Sequence, residues 1–450
     1  MESAYLPARI FSSEITMKTH VIIGFSLAAC ALAGGADWPQ WQGLDRTGVS
    51  KETGLLKSWP KDGPPRLWTF KNLGIGFSGP AIVRDRLYTM GARNESTFVI
   101  ALDIDKGTEV WSHKIGPIFT QDFYGDGPRS TPTVDGDYLY ALDGTGELVC
   151  LETAKGKEIW RKNLIKDLGG EMMTEWGFSE SVLIDGDKLI CTPGGDKGTL
   201  AALDKKTGAV LWRSTELKNK APYSSMMVAD IGGVRQYIQN SFIGKTEGGT
   251  VSGFAAKDGK LLWKGAAFEG EVYGVAQTPI IQDNLVYVTS GYGDGCHLFQ
   301  VTAGGKSLAA KEIYPGTVQR RVKNAHGGMV LVGAHLYGHA TGSGWVCQDF
   351  KSGKVRWLDR NKLVCKSGSI MAVEDRLYLY TESGVAVLLE ANPKAWKEQG
   401  RFEIPEKSKV PQMRKTCQKA GIWTHPVVAQ GRLYLRDQEL LFCYDVRAKR

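Results

Sequence analysis

The sequence predicts an all-β fold, an eight-bladed β-propeller of four-stranded antiparallel blades, and three observations carry that prediction. A hairpin phrase running Ala-Leu-Asp-Ile-Asp-Lys-Gly-Thr-Glu-Val-Trp from Ala101 to Trp111 returns at Cys150 to Trp160, Ala202 to Trp212, Gly253 to Trp263 and Cys347 to Trp357. A second signal, a small or proline residue followed by an alternating run, a polar turn and a Leu-Tyr-like pair, begins eight times. The two counts agree only if the first and last strands of the chain share one sheet.

The phrase itself is an apolar strand end, an acidic residue, a glycine-bearing turn and a second strand closed by an aromatic, which is hairpin chemistry. A repeat at regular spacing overrides the domain count that a length of 450 residues would otherwise suggest. With 55 glycines, 13 tryptophans and strand-like alternation nearly throughout, the composition fits many short strands and tight turns.

Taken in order, residues 1–36 read as a leader. Met17-Lys18-Thr19-His20 is a short basic start, Val21 to Ala29 is apolar, and the small residues around Ala31 to Ala36 suit signal peptidase. The leader is complete from Met17, so the residues before it read as an over-extended start. Leu27-Ala28-Ala29-Cys30 also resembles a lipobox, with Cys30 as the lipidated residue, so both a soluble exported form and a lipid-anchored one stay open. Beyond the leader no stretch is apolar for long enough to span a bilayer as a helix.

Residues 37–65, opening Trp38-Pro39-Gln40-Trp41-Gln42-Gly43, lack periodicity and are expected to wrap the surface. The propeller is expected over 66–450. Its starts fall at Pro80, Pro132, Val182, Met226, Pro279, Met329, Ile370 and Pro426, and its closing aromatics at Trp68, Trp111, Trp160, Trp212, Trp263, Tyr314, Trp357 and Trp396. Trp68 has no start before it, and Pro426 has no closing Trp after it. A ring in which the Trp68 strand completes the C-terminal sheet resolves both and removes an exposed edge, whereas a solenoid leaves a half unit unpaired.

The formal charge of +8 belongs entirely to the part after the leader, and no Lys/Arg cluster is interleaved with aromatics. A solvated basic surface is the reading, and a nucleic-acid partner is not expected. The seven cysteines after the leader are scattered and several stand at apolar repeat positions, so they read as buried free thiols.

The phrase Ala-x-Asp-x-x-Thr-Gly-x-x-x-Trp, clearest from Ala202 to Trp212, resembles the PQQ-like (pyrroloquinoline quinone-type) β-propeller repeat family, over roughly Trp38 to Val446. That family includes eight-bladed quinoprotein alcohol dehydrogenases and the envelope assembly lipoprotein BamB, which binds protein partners and no quinone. The opening Trp/Gln/Gly segment with Thr53-Gly54-Leu55-Leu56 is similar to a branch of exported bacterial propellers whose role is inferred by analogy. The resemblance implies the fold, and fold does not settle function.

In a propeller the innermost strands line the axis, so residues just before each start gather at one mouth. Three positions before stand Phe77, Arg129, Ser179, Tyr223, Ala276, His326, Ser367 and Trp423. Two before stand Ser78, Ser130, Glu180, Ser224, Gln277, Gly327, Gly368 and Thr424; one before, mostly small residues and His425. Large, chemically distinct groups at equivalent places suggest a ligand mouth, as binding residues sit on loops held by a rigid scaffold. The candidates are Arg129, Trp176, Glu180, Tyr223, Gln277, His326, Trp423 and His425. Unconstrained loop variation is the competing explanation.

The dehydrogenase side of the resemblance would need a Ca²⁺-class cation, a carboxylate base and aromatic planes about PQQ. Glu180 could supply one carboxylate, with Asp122 or Asp126 in reach, and Trp176, Tyr223 and Trp423 the platforms. No adjacent-cysteine pair and no Cys-x-x-Cys-His haem motif is present. Gly291-Tyr292-Gly293-Asp294-Gly295 reads as a strand-joining turn; His335 and His339 lack the helical zinc context, and no Gly-x-Ser-x-Gly elbow occurs. The reading is an exported, monomeric binding or scaffold module for an envelope protein partner or a small-molecule ligand, touching the membrane only through a lipid anchor if Cys30 carries one. The alternative is a PQQ- and Ca²⁺-dependent dehydrogenase of alcohols or sugar-like substrates.

Overall fold

The structure, a computed structural model, describes Met1 and residues 36–121, 125–244, 246–293, 295–304, 307–315, 322–410 and 421–448. The leader with Met17 and Cys30, the loop residue Asp122 and Cys417 lie outside the described residues. Eight antiparallel sheets of four strands form a ring, an eight-bladed propeller, with no helix among the described residues. The innermost strands, Ala81–Val83, Thr133–Asp135, Leu183–Asp185, Met227–Ile231, Ile280–Gln282, Met329–Val332, Gly368–Val373 and Val427–Ala429, open blades 1 to 8 in chain order.

The ring closes where the two ends of the chain meet. Arg66–Phe70 pairs antiparallel with Leu440–Asp445, Trp68 standing opposite Cys443 and Thr69 opposite Phe442. The first regular strand of the ring is thus the outermost strand of blade 8, and no half unit remains.

The repeated phrase has a physical explanation in the register. Its first residue pairs across the hairpin with its closing Trp: Ala101 with Trp111, Cys150 with Trp160, Ala202 with Trp212, Gly253 with Trp263, Cys347 with Trp357. That residue is small because the indole lies over it; a Cβ on Gly253 would fall 2.2 Å from Trp263 Nε1. Several of the closing indoles also reach the next blade, whereas Trp263 Nε1 donates within its own, to Gln236 Oε1 at 2.5 Å. The Nε1 of Trp68 donates to Ile104 O at 2.8 Å, that of Trp111 to Thr153 O at 3.0 Å, and that of Trp160 to Lys205 O at 2.9 Å. Under each ring lies the turn glycine of that next blade, Gly107, Gly156 and Gly208, at positive φ. The cysteines fit this pattern: the six described are free, and five are buried.

The segment expected to wrap the surface does something else over its first half. Trp38 exchanges backbone hydrogen bonds with Ile82 (2.8 and 2.7 Å), and Val134 N donates to Pro39 O at 2.8 Å. Arg46, 3% exposed, donates to Ser181 O (2.6 Å) and Val182 O (3.1 Å) at the entry to blade 3. Trp41 Nε1 donates to Thr278 Oγ1 at 2.9 Å at the entry to blade 5. Val49–Ser50 adds a fifth, parallel strand to blade 7 opposite Ala372 and Val373. Glu52 accepts from Gln430 N (2.7 Å) and Gly431 N (3.0 Å) of blade 8. Residues 38–52 therefore run across the space enclosed by the innermost strands, touching six blades. Only the remainder lies outward, with Leu56 N bonded to Val446 O and Trp59 N to Gln399 O. The non-periodic composition is that of a chain whose every residue meets a different neighbour.

Candidate functional site

The loops entering the blades converge on one cavity of about 1040 Å³, counting the space open to solvent. Of the eight residues three positions before the starts, seven line it: Phe77, Arg129, Ser179, Tyr223, Ala276, His326 and Trp423, with Ser367 the exception. Trp176, Gln277 and His425 line it as well. Seven of the eight candidate side chains are thereby brought together.

Glu180 is the one that is not. It is buried away from the cavity, its carboxylate accepting from Thr192 N (2.7 Å), Thr192 Oγ1 (2.8 Å) and Gln239 Nε2 (3.2 Å). Successive side chains alternate in an extended run, so Glu180, two before its start, points into the blade where its neighbours point to the axis, whereas Gln277 at the same place in blade 5 does line the cavity. The same position does the same job elsewhere. Ser78 accepts from Met90 N, Ser130 donates to Leu142 O and Thr424 to Arg436 O, each partner twelve residues on in the second strand. Burial lifts the Glu180 carboxyl to about 7, although its hydrogen bonds and the Arg46 charge pull the other way.

Sequence reasoning did not select Trp41, Gln42, Tyr292 or Asn324, which also line the cavity. Trp41 and Gln42 belong to the non-repeated segment, and together with His425 they separate the cavity from a smaller one beneath, of about 290 Å³. They act as its floor. Asn324 lies two residues before His326 in the loop entering blade 6, outside the three positions compared across the starts, and Tyr292 in the glycine-rich turn joining two strands of blade 5.

The wall is mostly aromatic. Trp423 stacks on His326, centroids 4.7 Å apart and planes 4° from parallel, and on Phe77 at 5.2 Å. Trp176 stacks on Tyr223 at 5.5 Å, and Trp41 meets His425 edge to face at 4.6 Å. The Arg129 guanidinium sits over Phe77 and Phe119 and donates to Gly127 O and Gly125 O, both at 2.7 Å. Burial lowers its pKa to about 10, so it stays charged at neutral pH. Burial lowers both His326 and His425 to about 4, so both imidazoles are neutral.

Two acceptors of lining residues are buried without a partner among the described residues. Asn324, 1% exposed, gives its amide nitrogen to Gly328 O (3.1 Å) and His339 O (2.9 Å), which turns Oδ1 away from both. Gln277, 2% exposed, gives Nε2 to Thr278 O at 2.8 Å and leaves Oε1 without a partner. A buried acceptor left so costs about 1–3 kcal/mol.

No Asp or Glu is among the described lining residues, and no hydrogen bond among the described residues joins a lining hydroxyl to either imidazole. A quinone-polarising calcium ion needs clustered oxygen ligands, carboxylates among them. Glu180 is committed elsewhere, and no group of three His, Cys, Asp or Glu residues is gathered among the described residues. The described donor set does not fit that ion.

Comparisons with known proteins agree with the architecture. Residues 66–359, well over half of the chain, match the family described as outer membrane protein assembly factor BamB. The protein of that description from Shewanella oneidensis is 25% identical over 257 residues, 54% of this chain and 56% of its own length. A tetrathionate hydrolase from Acidithiobacillus ferrooxidans is 26% identical over 255 residues, 54% of this chain and 46% of its own. The chain spans about half the length of these relatives. Among solved structures, the quinohemoprotein alcohol dehydrogenase from Comamonas testosteroni gives a TM-score of 0.62 at 14% identity, over 92% of this chain and 81% of that one. BamB from Moraxella catarrhalis gives 0.55 at 14% identity, over 85% and 99%. At such identities the structural likeness is one of fold alone. Because the family match runs from the ring-closing strand through the outer strand of blade 6, the chain belongs to the outer membrane protein assembly factor BamB family.

Proposed function

We propose that the protein is an exported, rigid binding module of the cell envelope that holds a small ligand in the mouth of its propeller, without catalysis of its own. The observation that carries this reading is the cavity: loops from successive blades supply unlike side chains to one aromatic-walled space, floored by Trp41 and Gln42. Such a concave site with a few placed polar groups is what ligand recognition requires. An envelope protein partner at the same mouth is the other occupant this module would take, in line with the family name. The alternative, a PQQ- and Ca²⁺-dependent dehydrogenase, draws support from the aromatic wall and from the fold of the alcohol dehydrogenases. The lack of a lining carboxylate among the described residues weighs against it.

The test is a thermal-shift screen of the purified protein against small-molecule classes, run beside PQQ with Ca²⁺ and a dye-linked alcohol-oxidation assay. The expected result is stabilisation by a ligand class, lost in Trp423→Ala, with no dye reduction. Dye reduction that requires PQQ and Ca²⁺ would establish the alternative, and a screen in which nothing stabilises the fold would remove the ligand mouth.

A further inference from the structure

The non-repeated segment that floors the cavity is held at both ends by one residue of the ring. Asp37 Oδ1 accepts from Gln430 Nε2 at 2.9 Å and from Arg84 N at 3.0 Å. The Glu52 carboxylate accepts from Gln430 N at 2.7 Å and from Gly431 N at 3.0 Å. Arg84 and Gln430 directly follow the innermost strands Ala81–Val83 and Val427–Ala429, whereas the cavity is lined by residues that precede those strands. Both ends of the segment therefore lie at the face opposite the mouth. Between them the chain climbs to Trp41 and Gln42 at the cavity floor and returns past Arg46 and Val49–Ser50. It is a loop with its ends together, the arrangement of an Ω-loop, inserted into the ring from one side.

The bonds that close the ring are separate from it: Arg66–Phe70 pairs with Leu440–Asp445, and Arg436 bonds Ser78 O and Met90 O. A loop held at both ends on one face can leave by that face without opening the ring. Its seat is also imperfect. Gln42 at φ +57° and Arg46 at φ +56° occupy the left-handed region that residues other than glycine seldom adopt. Arg46 Nε is buried without a hydrogen-bond partner among the described residues. The space of about 290 Å³ beneath the floor lies between Trp38, Trp41 and Gln42 of the segment and Pro80, Ile370 and Pro426 of the ring. Leu44 is exposed, as are Asp45 and Lys51, an ion pair at 2.8 Å, so water reaches the loop. Strain, a void and exposed apolar surface lower the cost of local opening relative to the close-packed blades.

We propose that residues 38–52 are a plug that withdraws as one unit through the face opposite the mouth while the ring stays closed, so that the cavity floor is a gate. Withdrawal takes Trp41 and Gln42 out of the cavity and opens it toward the other face. An occupant touching Trp41 or Gln42 holds the plug seated, and the seated plug favours the occupant by the same factor. That coupling rests on the proposed ligand mouth; the withdrawal does not.

Hydrogen exchange on the purified full chain, without ligand, tests the plug. Amides of residues 38–52 are expected to exchange together, about tenfold or more faster than those of Arg66–Phe70 and Leu440–Asp445. Ser50, Cys150 and Cys191 are buried. In Ser50→Cys a pulse of thiol reagent should therefore label position 50 while Cys150 and Cys191 stay unlabelled. Arg46→Leu should speed both readouts by about tenfold or more. If Ser50→Cys does not fold, exchange in the wild type decides alone. Segment amides that exchange in step with Arg66–Phe70, or a thiol at position 50 that reacts only together with Cys150, overturn the proposal, because the segment then leaves only when the ring opens. Fast exchange confined to Leu44 to Thr47 overturns it too, since the loop then frays without withdrawing. Each of these failures leaves the ligand mouth standing, because no ligand enters the experiment.

Discussion

Arg436 Nη1 donates to Ser78 O at 2.7 Å, joining residues 358 apart in the chain across the seam between blades 8 and 1. The same guanidinium, 1% exposed, also donates to Met90 O (2.7 Å), Thr89 Oγ1 (3.1 Å), Gly74 O (3.3 Å) and Gln438 O (2.8 Å). Burial lowers its pKa to about 9, so it is still charged at neutral pH, bonded to neutral oxygens. Arg436→Met would strand several buried acceptors at about 1–3 kcal/mol each. We expect a loss of at least about 3 kcal/mol in denaturant unfolding. Hydrogen exchange should rise first in Arg66–Phe70 and Leu440–Asp445, the strands that close the ring. Uniform exchange across all blades would show that the seam is not the weak point.

Trp160 makes a second, repeated joint. It is buried over Gly208 of blade 3 and bonded to Lys205 O, so Trp160→Ala removes packing and a hydrogen bond together. Loss of about 3–5 kcal/mol is expected, as for other buried aromatics. Gly208→Val should destabilise too, because φ is +72° there and a Cβ would lie 2.9 Å from the indole ring. Thermal unfolding of the two variants and of the double variant checks this. The double variant should lose less than the sum of the singles, since removing the indole relieves the clash.

Those two joints show how much of the molecule is legible in the sequence. The repeat is readable because each blade solves the same packing problem: a small residue opposite a Trp, and a glycine beneath it in the next blade. Ring closure follows from the orphan Trp68. The cavity residues three before each start are readable for the same reason, since a shared strand places them at equivalent points about the axis. Position alone misassigns Glu180, because it does not say which way a side chain alternates. Trp41, Gln42 and Arg46 cannot be found from periodicity at all. They belong to a segment that occurs once and touches six unlike blades, and Arg436 likewise meets its partners only through the closed ring.

The two cavity histidines give an acid-side test. Both are held near 4 in the fold against an ordinary 6.5, so the unfolded chain takes up protons between those values that the folded chain refuses. Their contribution to stability is whole above pH 6.5 and is lost as pH falls toward 4. Glu180 slopes the other way: raised to about 7, it contributes stability below pH 4.5 that is lost as pH climbs to 7. Urea midpoints measured from about pH 7 to 4.5 should fall for the wild type. They should rise for the His326→Gln/His425→Gln variant, where Glu180 acts without the histidines, and fall more steeply for Glu180→Gln. Parallel pH profiles in all three proteins would contradict the assignment.

Arg46 tests whether the segment across the ring is part of the fold or laid onto it. Its guanidinium bonds to Ser181 O, Val182 O and Gln40 Oε1, and its pKa is lowered by burial to about 10, so it enters the ring charged. Arg46→Leu keeps bulk but leaves two backbone carbonyls at the entry to blade 3 without donors, at about 1–3 kcal/mol each. A stability loss of about 2 kcal/mol or more is expected, without loss of ring closure, because Trp68 and Arg436 make that seam independently. Trp41 and Gln42 lie a few residues upstream, so the cavity floor should loosen with it. Limited proteolysis should then cut within residues 37–53 while the blades stay intact, and the tryptophan emission of the cavity should shift to longer wavelength. Cleavage unchanged from the wild type would mean that the segment is held without Arg46, by its pairing at Trp38 and Val49 and by the contacts of Trp41 and Glu52.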